Sequence, residues 1–355
     1  MDGNLGEDPP TPDVVVFTAL AEEHRAVLAA LAPCVRHPWR GQDLHMANVD
    51  GLQILVIPRS GMGNVGIAEI AARAIGVWNP AKLLLVGIAG GIRDAGDDLR
   101  LGDVLVPDKV IGFEHARVSA AGTSPRYEPY RPDWDLLSTA QAVVPEEWVL
   151  PSLVRPRVGA APDRAAPRAH FGPVLSGEKV IAGDAILDVP LKAWPKALGV
   201  EMESLGVALA SYRGGPGFLM VKSVCDFADA QKNDDWHDYA AATAAQFSVA
   251  VLRRYAARRS AEAKPGRPQA FPLSGPPVYP GALKVQICRR LVDDWEELAD
   301  YFETPIHTRR KFPPGNEARA MWEWLEVRHK LHLLPQALSE IGRQDLKSDL
   351  EKYAT

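Results

Sequence analysis

In the first two-thirds of this 355-residue chain, short apolar runs alternate with segments whose apolar residues recur at helical spacing. This alternation constrains the fold more than any other feature of the sequence. Val14 to Phe17 predicts a buried strand, and Glu22 to Leu31 predicts the helix that follows it. Leu52 to Ile57 predicts a second strand, and the next helix carries apolar residues at i, i+3, i+4 and i+7, namely Ile67, Ile70, Ala71 and Ala74. Further strands are expected at 83–86, 104–106 and 218–224, and a long helix at 236–255. Strands alternating with helices predict an α/β fold whose sheet is covered on both faces.

Ligands of such sheets bind beyond the carboxyl ends of the strands, and several candidate residues fall there. Glu23 lies in the first turn of the first helix, Asp226 follows the strand at 218–224, and a Gly-rich turn is expected at 87–91. Glu203 lies where an apolar helix begins. Each residue also has a structural explanation, because acids favour helix N-termini and Asp and Gly favour turns. They are candidates for a functional site because all of them are expected at the same edge of the sheet.

Composition changes along the chain predict two folded regions. Residues 117–172 are rich in Pro and Arg, and we expect an irregular insertion there with one helix near 134–143. We place a disordered leader at 1–12, a catalytic domain at 13–257, a flexible linker at 258–282 and a helical domain at 283–355. The linker is predicted from its Pro, Gly, Ser and charged residues.

The bulk properties exclude several classes of protein. A net charge of −5 argues against a nucleic-acid-binding surface, which is normally basic. The three cysteines, Cys34, Cys225 and Cys288, form no CxxC pair, which argues against both a disulfide framework and a zinc site. No run of about 18 apolar residues is present, and residues 1–12 lack the apolar stretch of a signal peptide. We therefore expect a cytoplasmic protein that binds neither membranes nor nucleic acid.

Five motifs in order give the chain a family resemblance over about 14–255. They are Ser60-Gly61-Met62-Gly63, Gly87-Ile88-Ala89-Gly90-Gly91, Leu101-Gly102-Asp103-Val104, Val200-Glu201-Met202-Glu203 and Ser223-Val224-Cys225-Asp226. Together they resemble methylthioadenosine/S-adenosylhomocysteine nucleosidases and the wider purine and uridine phosphorylases. The resemblance implies a nucleoside phosphorylase-like α/β fold with a central mixed sheet flanked by helices. It also implies a homo-oligomer that uses no metal ion and no cofactor.

The same resemblance implies roles for individual residues in breaking a purine N-glycosidic bond. Asp226 matches the acid that shares a proton with purine N7, and Glu23 matches the carboxylate that positions the attacking water. Glu203 matches the carboxylate that accepts hydrogen bonds from the ribose hydroxyls, with Met202 packed on the sugar. The resemblance implies that Val180 and Ile181 hold the base. It places Ile88 and Gly90 in the Gly-rich segment that lines the site. It also implies an apolar 5′ pocket formed by Leu20, Met62 and Trp236.

Water and phosphate remain alternative attacking groups. Phosphorolytic relatives hold phosphate with arginines and hydroxyls around the Gly-rich segment, where this chain has Ile88. A carboxylate at Glu23 would also repel phosphate, so both features favour hydrolysis. Arg59 and Arg93 lie near enough in sequence to keep phosphorolysis open.

The group at the substrate's 5′ position is also left open. The apolar residues Leu20, Met62 and Trp236 favour a thio-substituted adenosine, although they could equally pack the core. The insertion carries His115, Arg117, Arg126 and Arg131, which could face a charged 5′ group. Some relatives in bacterial defence systems cleave the glycosidic bond of ATP.

Residues 283–353 resemble the death-like, effector-associated adaptor domains of bacterial conflict systems. The resemblance rests on the segments 291–299, 315–319, 322–326 and 341–346. It implies binding to matching domains on partner proteins, and hence an effector that depletes a nucleoside or nucleotide when it is recruited. A bundle that only caps the enzyme's oligomer is the structural alternative. A nucleoside-binding module without catalytic activity is a further alternative for the whole chain.

Overall fold

The computed structural model describes residues 11–58, 61–93, 98–120, 122–150, 152–156, 166–181, 186–228, 234–262, 279–291, 294–302, 304, 306–309, 312–327 and 330–352. The chain divides after Pro265 into two compact units. The first ten residues of the expected leader and residues 263–278 of the expected linker lie outside the described residues.

One large mixed sheet organises the first unit. Its strands are β1 (Val14–Phe17), β2 (Val35–Trp39), β3 (Gln42–Val49), β4 (Leu52–Val56), β5 (Lys82–Gly91), β6 (Val104–Gly112), β9 (Glu128–Tyr130), β10 (Ala169–Ser176), β11 (Gly199–Glu201) and β12 (Gly217–Asp226). A separate two-stranded hairpin consists of β7 (Ala116–Ser119) and β8 (Gly122–Pro125).

The strand order fixes where a ligand can bind. The path runs β11-β10-β6-β12-β5-β1-β4-β3-β2, with β9 paired to β6. β5 lies between β12 and β1 and runs parallel to both, so the carboxyl ends of these three strands lie at one edge of the sheet. The short strand β11 pairs with β10 and also returns antiparallel onto the end of β5, where Val200 lies opposite Gly90. This second pairing brings residues 199–203 to the same edge.

Helices cover both faces of the sheet. They are α1 (Ala21–Leu31), α2 (Asn64–Trp78), α3 (Trp134–Gln141), α4 (Asp188–Ala193), α5 (Ser204–Gly214) and α6 (His237–Glu262). The core on one face contains apolar residues of α1, α3 and α6, and the core on the other face contains those of α2 and α5. The predicted α/β fold with a mixed sheet between helices is confirmed.

The Gly-rich turn expected at 87–91 is wrong, because this segment is the second half of β5. Its small residues serve close packing within the sheet. A Cβ on Gly87 would clash with the Glu23 carboxylate, and a Cβ on Gly199 would clash with the backbone of Gly90. Glycine is needed here for space rather than for a turn.

The segment 117–172 is more regular than expected. The helix expected near 134–143 is confirmed as α3, but the segment also contains the β7–β8 hairpin, β9 and the beginning of β10. β10 lies inside the sheet between β6 and β11, so this part of the segment belongs to the core and is not an insertion. Helix α6 continues to Glu262 and therefore includes the first residues assigned to the linker.

The second unit is helical in its described residues. Its helices are α7 (Gly281–Leu291), α8 (Trp295–Tyr301), α9 (Ile306–Arg309), α10 (Glu317–Val327), α11 (Leu334–Glu340) and α12 (Gln344–Glu351). Helices α7, α8, α10, α11 and α12 share one apolar core, to which α8 contributes Leu298 and Ala299 and α10 contributes Ala318, Met321, Trp322 and Leu325. The predicted small helical bundle is confirmed. No helix in the described part of either unit combines the length and the apolar character that crossing a bilayer requires.

Candidate active site

A cavity of about 120 Å³ lies where β11 meets the carboxyl ends of β1, β5 and β12. All of the site residues expected from the sequence line it except Trp236: Glu23, Glu203, Asp226, Met202, Val180, Ile181, Ile88, Gly90, Leu20 and Met62. The lining also contains five polar or titratable residues to which the sequence assigned no role, Lys179, Glu201, Lys222, Cys225 and His237.

Glu23 is a buried carboxylate held entirely by backbone donors among the contacts described. Its Oε2 accepts hydrogen bonds from the backbone N–H groups of Ala19 at 2.7 Å and Leu20 at 2.8 Å, and its Oε1 accepts one from Ile88 at 2.9 Å. The side chain therefore joins the start of α1 to β5. Burial raises the pKa of Glu23 above its ordinary value, against the lowering effect of the Lys222 charge and of the backbone donors.

Glu203 is fixed on the opposite wall by two donors. Its Oε1 accepts a hydrogen bond from the backbone N–H of Gly63 at 3.1 Å, and its Oε2 accepts one from Lys222 Nζ at 2.5 Å. Gly63 adopts φ of +107° just before α2, a conformation that favours glycine, so its N–H can point at the carboxylate. Glu203 is thus held between α2 and β12.

Lys222 is a buried cation that bridges two carboxylates. Its Nζ lies 3.0 Å from Glu201 Oε2 as well as 2.5 Å from Glu203 Oε2, and the side chain is only 2% exposed. Burial alone would lower the pKa of Lys222, but the charges of Glu203 and Glu201 more than offset this and keep the amine protonated. The cation in turn holds Glu203 in one orientation.

Glu201 anchors this network in the scaffold. It accepts hydrogen bonds from the backbone N–H groups of Glu203 at 3.0 Å and Ser204 at 2.9 Å, and from Ser204 Oγ at 2.5 Å. Burial would raise the pKa of Glu201, but the Lys222 charge and these donors bring the pKa below its ordinary value. Glu201 is therefore an ionised group that positions the chain at Glu203.

Asp226 ends β12 and faces the cavity from the third side. Its Oδ1 accepts a hydrogen bond from the backbone N–H of Ala228 at 2.7 Å, and Cys225 Sγ lies 3.4 Å from its Oδ2. The side chain is 5% exposed. A Cβ added to Gly90 would lie 3.1 Å from Oδ1, so glycine at this position leaves room for the acid.

A buried asparagine joins three elements beneath the site. Asn64 Nδ2 donates to the carbonyl of Gly177 at 2.9 Å, and its Oδ1 accepts hydrogen bonds from Ser176 Oγ at 3.2 Å and the backbone N–H of Gly206 at 2.9 Å. These bonds connect α2, β10 and α5. The sequence offered no specific signal for Asn64, because Asn is common at helix beginnings.

The remaining walls are mainly apolar and suit a flat heterocycle. Ile88 and Ile181 are buried, whereas Met62 and Val180 are 61% and 52% exposed, which places these two side chains at the mouth. Trp236 is not brought to the cavity: it is buried, its ring packs edge-on against Tyr239, and it lies beside Gly102. Its neighbour His237 lines the cavity instead.

Cations in the described part of the chain are sparse around the cavity. Lys179 lies at the lining and forms an ion pair of 3.2 Å with Glu114. Arg93 lies over the ring of Phe227, and Arg59 lies outside the described residues. The side chains suggested for a charged 5′ group, those of His115, Arg117, Arg126 and Arg131, are not part of the described lining.

One group of side chains near the cavity has the donor types that bind metal ions. The ligand atoms of Cys225, Asp226 and His237 all lie within 4.8 Å of one another. The set mixes a thiol, a carboxylate and an imidazole, the ligands that zinc takes in proteins.

Two family models match the chain. Residues 13–257 match the phosphorylase superfamily, and residues 281–353 match bacterial death-like domain 3.

Curated proteins and solved structures give consistent likenesses. The chain is 30% identical over 262 residues to "ATP nucleosidase Cap17" of Escherichia coli (strain KTE188), covering 68% of this chain and 51% of that protein. It thus spans about half the length of this relative. It is 22% identical over 253 residues to 5′-methylthioadenosine/S-adenosylhomocysteine nucleosidase of Chromohalobacter salexigens, covering 68% of this chain and 97% of that protein.

Among solved structures, it resembles 5′-methylthioadenosine/S-adenosylhomocysteine nucleosidase from Neisseria meningitidis in complex with methylthio-immucillin-A. The TM-score is 0.55 at 19% identity, with 68% of this chain and 98% of that chain covered. This likeness shows the fold.

Proposed function

The chain belongs to the phosphorylase superfamily through residues 13–257, and on that premise we propose that it hydrolyses the N-glycosidic bond of a purine nucleoside or nucleotide. The observation that carries the proposal is the convergence of Glu23, Glu203 and Asp226 on one largely apolar cavity. Breaking this bond requires a better leaving base, a stabilised ribosyl cation and a positioned water. One carboxylate is available for each task.

In the proposed mechanism, Asp226 protonates the purine at N7. Ile88, Val180 and Ile181 supply apolar contact for the base. The hydrogen bond from Ala228 to Oδ1 fixes the carboxyl group while Oδ2 remains on the side of Cys225. Proton transfer by a positioned group contributes about 10²–10⁴-fold to rate.

Glu203 accepts hydrogen bonds from the ribose hydroxyls, and its negative charge stabilises the cation that develops at the anomeric carbon. Lys222 and Gly63 hold this carboxylate before substrate arrives, so little reorganisation is needed in the transition state. Met202, which also lines the cavity, packs on the sugar.

Glu23 orients the attacking water and accepts its proton. Three backbone donors fix both carboxylate oxygens, and burial raises the pKa towards the range in which a carboxylate is an effective base. Its negative charge disfavours phosphate at the same position. The second candidate, phosphorolysis, is less well supported because no arginine belongs to the described lining.

The 5′ substituent is the part of the substrate that the cavity defines least. Leu20 and Met62 offer an apolar contact suited to an alkylthio group, and Lys179 offers one cation suited to phosphate. The names of the Chromohalobacter salexigens and Escherichia coli relatives point to these same two classes, a thioether of adenosine and ATP.

The helical unit supports a proposed role as an effector in a bacterial conflict system, acting in the cytoplasm. Its match to a bacterial death-like domain favours recruitment by partner proteins that carry a similar domain. We further propose that the catalytic unit works as a homo-oligomer, in which a neighbouring copy covers the exposed mouth at Met62 and Val180.

The proposal is tested by measuring base release from adenosine, inosine, methylthioadenosine, AMP and ATP, with and without phosphate. Release that needs no phosphate supports hydrolysis, and the preferred substrate identifies the 5′ group. Release that depends on phosphate would overturn hydrolysis in favour of phosphorolysis. Tight adenine binding without release from any substrate would favour a module without catalytic activity.

A further inference from the structure

Three side chains that line the cavity form a set of possible metal ligands, and the proposed reaction uses only one of them, Asp226. From the convergence of Cys225, Asp226 and His237 we propose that the cavity contains an inhibitory site for zinc. The ion would bind Cys225 Sγ, an Asp226 oxygen and one imidazole nitrogen of His237, with water in the fourth position. The binding itself does not depend on the proposed function, but its inhibitory effect rests on it.

The distances suit a tetrahedral ion. Zinc lies about 2.3 Å from sulfur and about 2.0–2.2 Å from nitrogen and oxygen, so neighbouring ligand atoms are roughly 3.5 Å apart. Cys225 Sγ and Asp226 Oδ2 are already 3.4 Å apart. The three ligand atoms lie within 4.8 Å of one another. A side-chain rotation that moves the His237 nitrogen by about 1 Å would therefore bring all three atoms to the spacing of a zinc site.

His237 is oriented as a zinc ligand commonly is. Its Nδ1 lies 3.3 Å from Glu22 Oε1, and a carboxylate on one imidazole nitrogen fixes the tautomer that leaves the other nitrogen able to bind metal. Nε2 is buried, and the carboxylate of Asp234, an exposed side chain, lies 3.3 Å from it. An ion at Nε2 would displace this Asp234 contact, which contributes little because the carboxylate is 85% exposed.

The position of the ion explains why it would inhibit. Binding displaces the thiol proton of Cys225 and the carboxyl proton that Asp226 carries as the acid, and both protons are released to solvent. Asp226 then has no proton to give to purine N7, and the ion fills space that the base needs. Zinc would therefore compete with substrate.

The binding test uses the full, metal-free chain and two probes. Zn²⁺ is titrated against a chromophoric chelator, and Co²⁺ is added to detect the absorption band of a cobalt–thiolate bond. We expect one ion per chain and a cobalt–thiolate band. Cys225→Ser should abolish the band, and Cys225→Ser and His237→Gln should each weaken zinc binding by about 100-fold or more.

Matched controls separate this site from other thiols and imidazoles. Cys34→Ser, Cys288→Ser and His115→Gln change residues outside the cluster and should leave the affinity and the band unchanged. If the wild-type chain shows no cobalt–thiolate band, that result alone overturns the proposal. A band that survives Cys225→Ser would overturn it equally.

The activity arm distinguishes this inference from the proposed function. Zinc should suppress base release from the preferred substrate, EDTA should restore it, and raising the substrate concentration should relieve the inhibition. Bound zinc that leaves base release unchanged would overturn the inhibitory role. If no base is released under any condition, the proposed function fails, while the cobalt and zinc titrations still decide whether the site exists.

Discussion

Replacing Lys222 by methionine tests the buried charge network most sharply. The substitution removes the ammonium that lies 2.5 Å from Glu203 and 3.0 Å from Glu201, and it keeps a side chain of similar length. Two buried carboxylates then remain without their cation. Breaking a buried ion pair by removing one partner costs about 3–5 kcal/mol.

That cost predicts a large thermal shift. For a unit of this size each kcal/mol lowers the unfolding temperature by about 2–4 °C, so Lys222→Met should lower it by about 6–20 °C. The penalty should shrink on acidification. In the wild type the pKa of Glu201 is depressed, so the pair's contribution is present above the ordinary pKa of the carboxyl group and is lost as pH falls through the depressed value.

The assay is calorimetry of the full chain at pH 7 and at acidic pH, with Lys82→Met as the matched control. Lys82 lies in the same unit and pairs with Asp133 at 2.6 Å, but both side chains retain contact with solvent. At 12% and 18% exposure this pair is better screened by solvent than the Lys222 pairs, so losing it should destabilise the unit less than Lys222→Met does. A Lys222→Met variant no less stable than Lys82→Met, or a difference that does not diminish with acid, would refute the reasoning.

Three further predictions follow from single residues. Because burial raises the pKa of Glu23 in the free protein, loss of the base on acidification should place the acid limb of the kcat/KM profile above the ordinary glutamate value of 4.5, and a limb at or below that value would contradict the assignment. Gly87→Ala should reduce kcat about 100-fold, because its methyl group would displace Glu23, whereas Gly76→Ala, which meets nothing within 4 Å, should not. In the helical unit, Ile287→Ala should cost about 2–5 kcal/mol in unfolding free energy because the residue is fully buried. Val285→Ala on the same helix, 44% exposed, should change the unfolding free energy by about 0.5 kcal/mol or less.

Apolar runs predicted the central strands because those strands are buried on both faces. β1 begins at the first residue of its predicted run, and β5 and β12 each begin one residue before theirs. The β2–β3 hairpin was missed because its strands mix exposed polar residues with buried ones, and β2 contains Pro38. β10 was missed because it follows a Pro- and Arg-rich stretch whose composition is typical of a loop.

Glu203 and Asp226 could be predicted because they lie in family motifs, and Glu23 because it lies in the first turn of the first helix, but their supporting residues could not. Lys222 interrupts an otherwise apolar strand, and that was an available signal, since a lysine in a buried strand needs an acidic partner. Glu201 and Asn64 gave no such signal, because their roles depend on contacts between segments far apart in sequence. The placement of His237 rather than Trp236 at the cavity depends on where α6 begins, which periodicity defines only to within a few residues.

The central claim, hydrolysis with Asp226 as the acid, is tested most directly by following base release in ¹⁸O-labelled water without phosphate, for the wild type and for Asp226→Asn. We predict ribosyl product that carries ¹⁸O at the anomeric carbon in the wild type, and a rate about 10²–10⁴-fold lower in the variant, which should still bind adenine. Unlabelled product, or a variant as active as the wild type, would contradict the account.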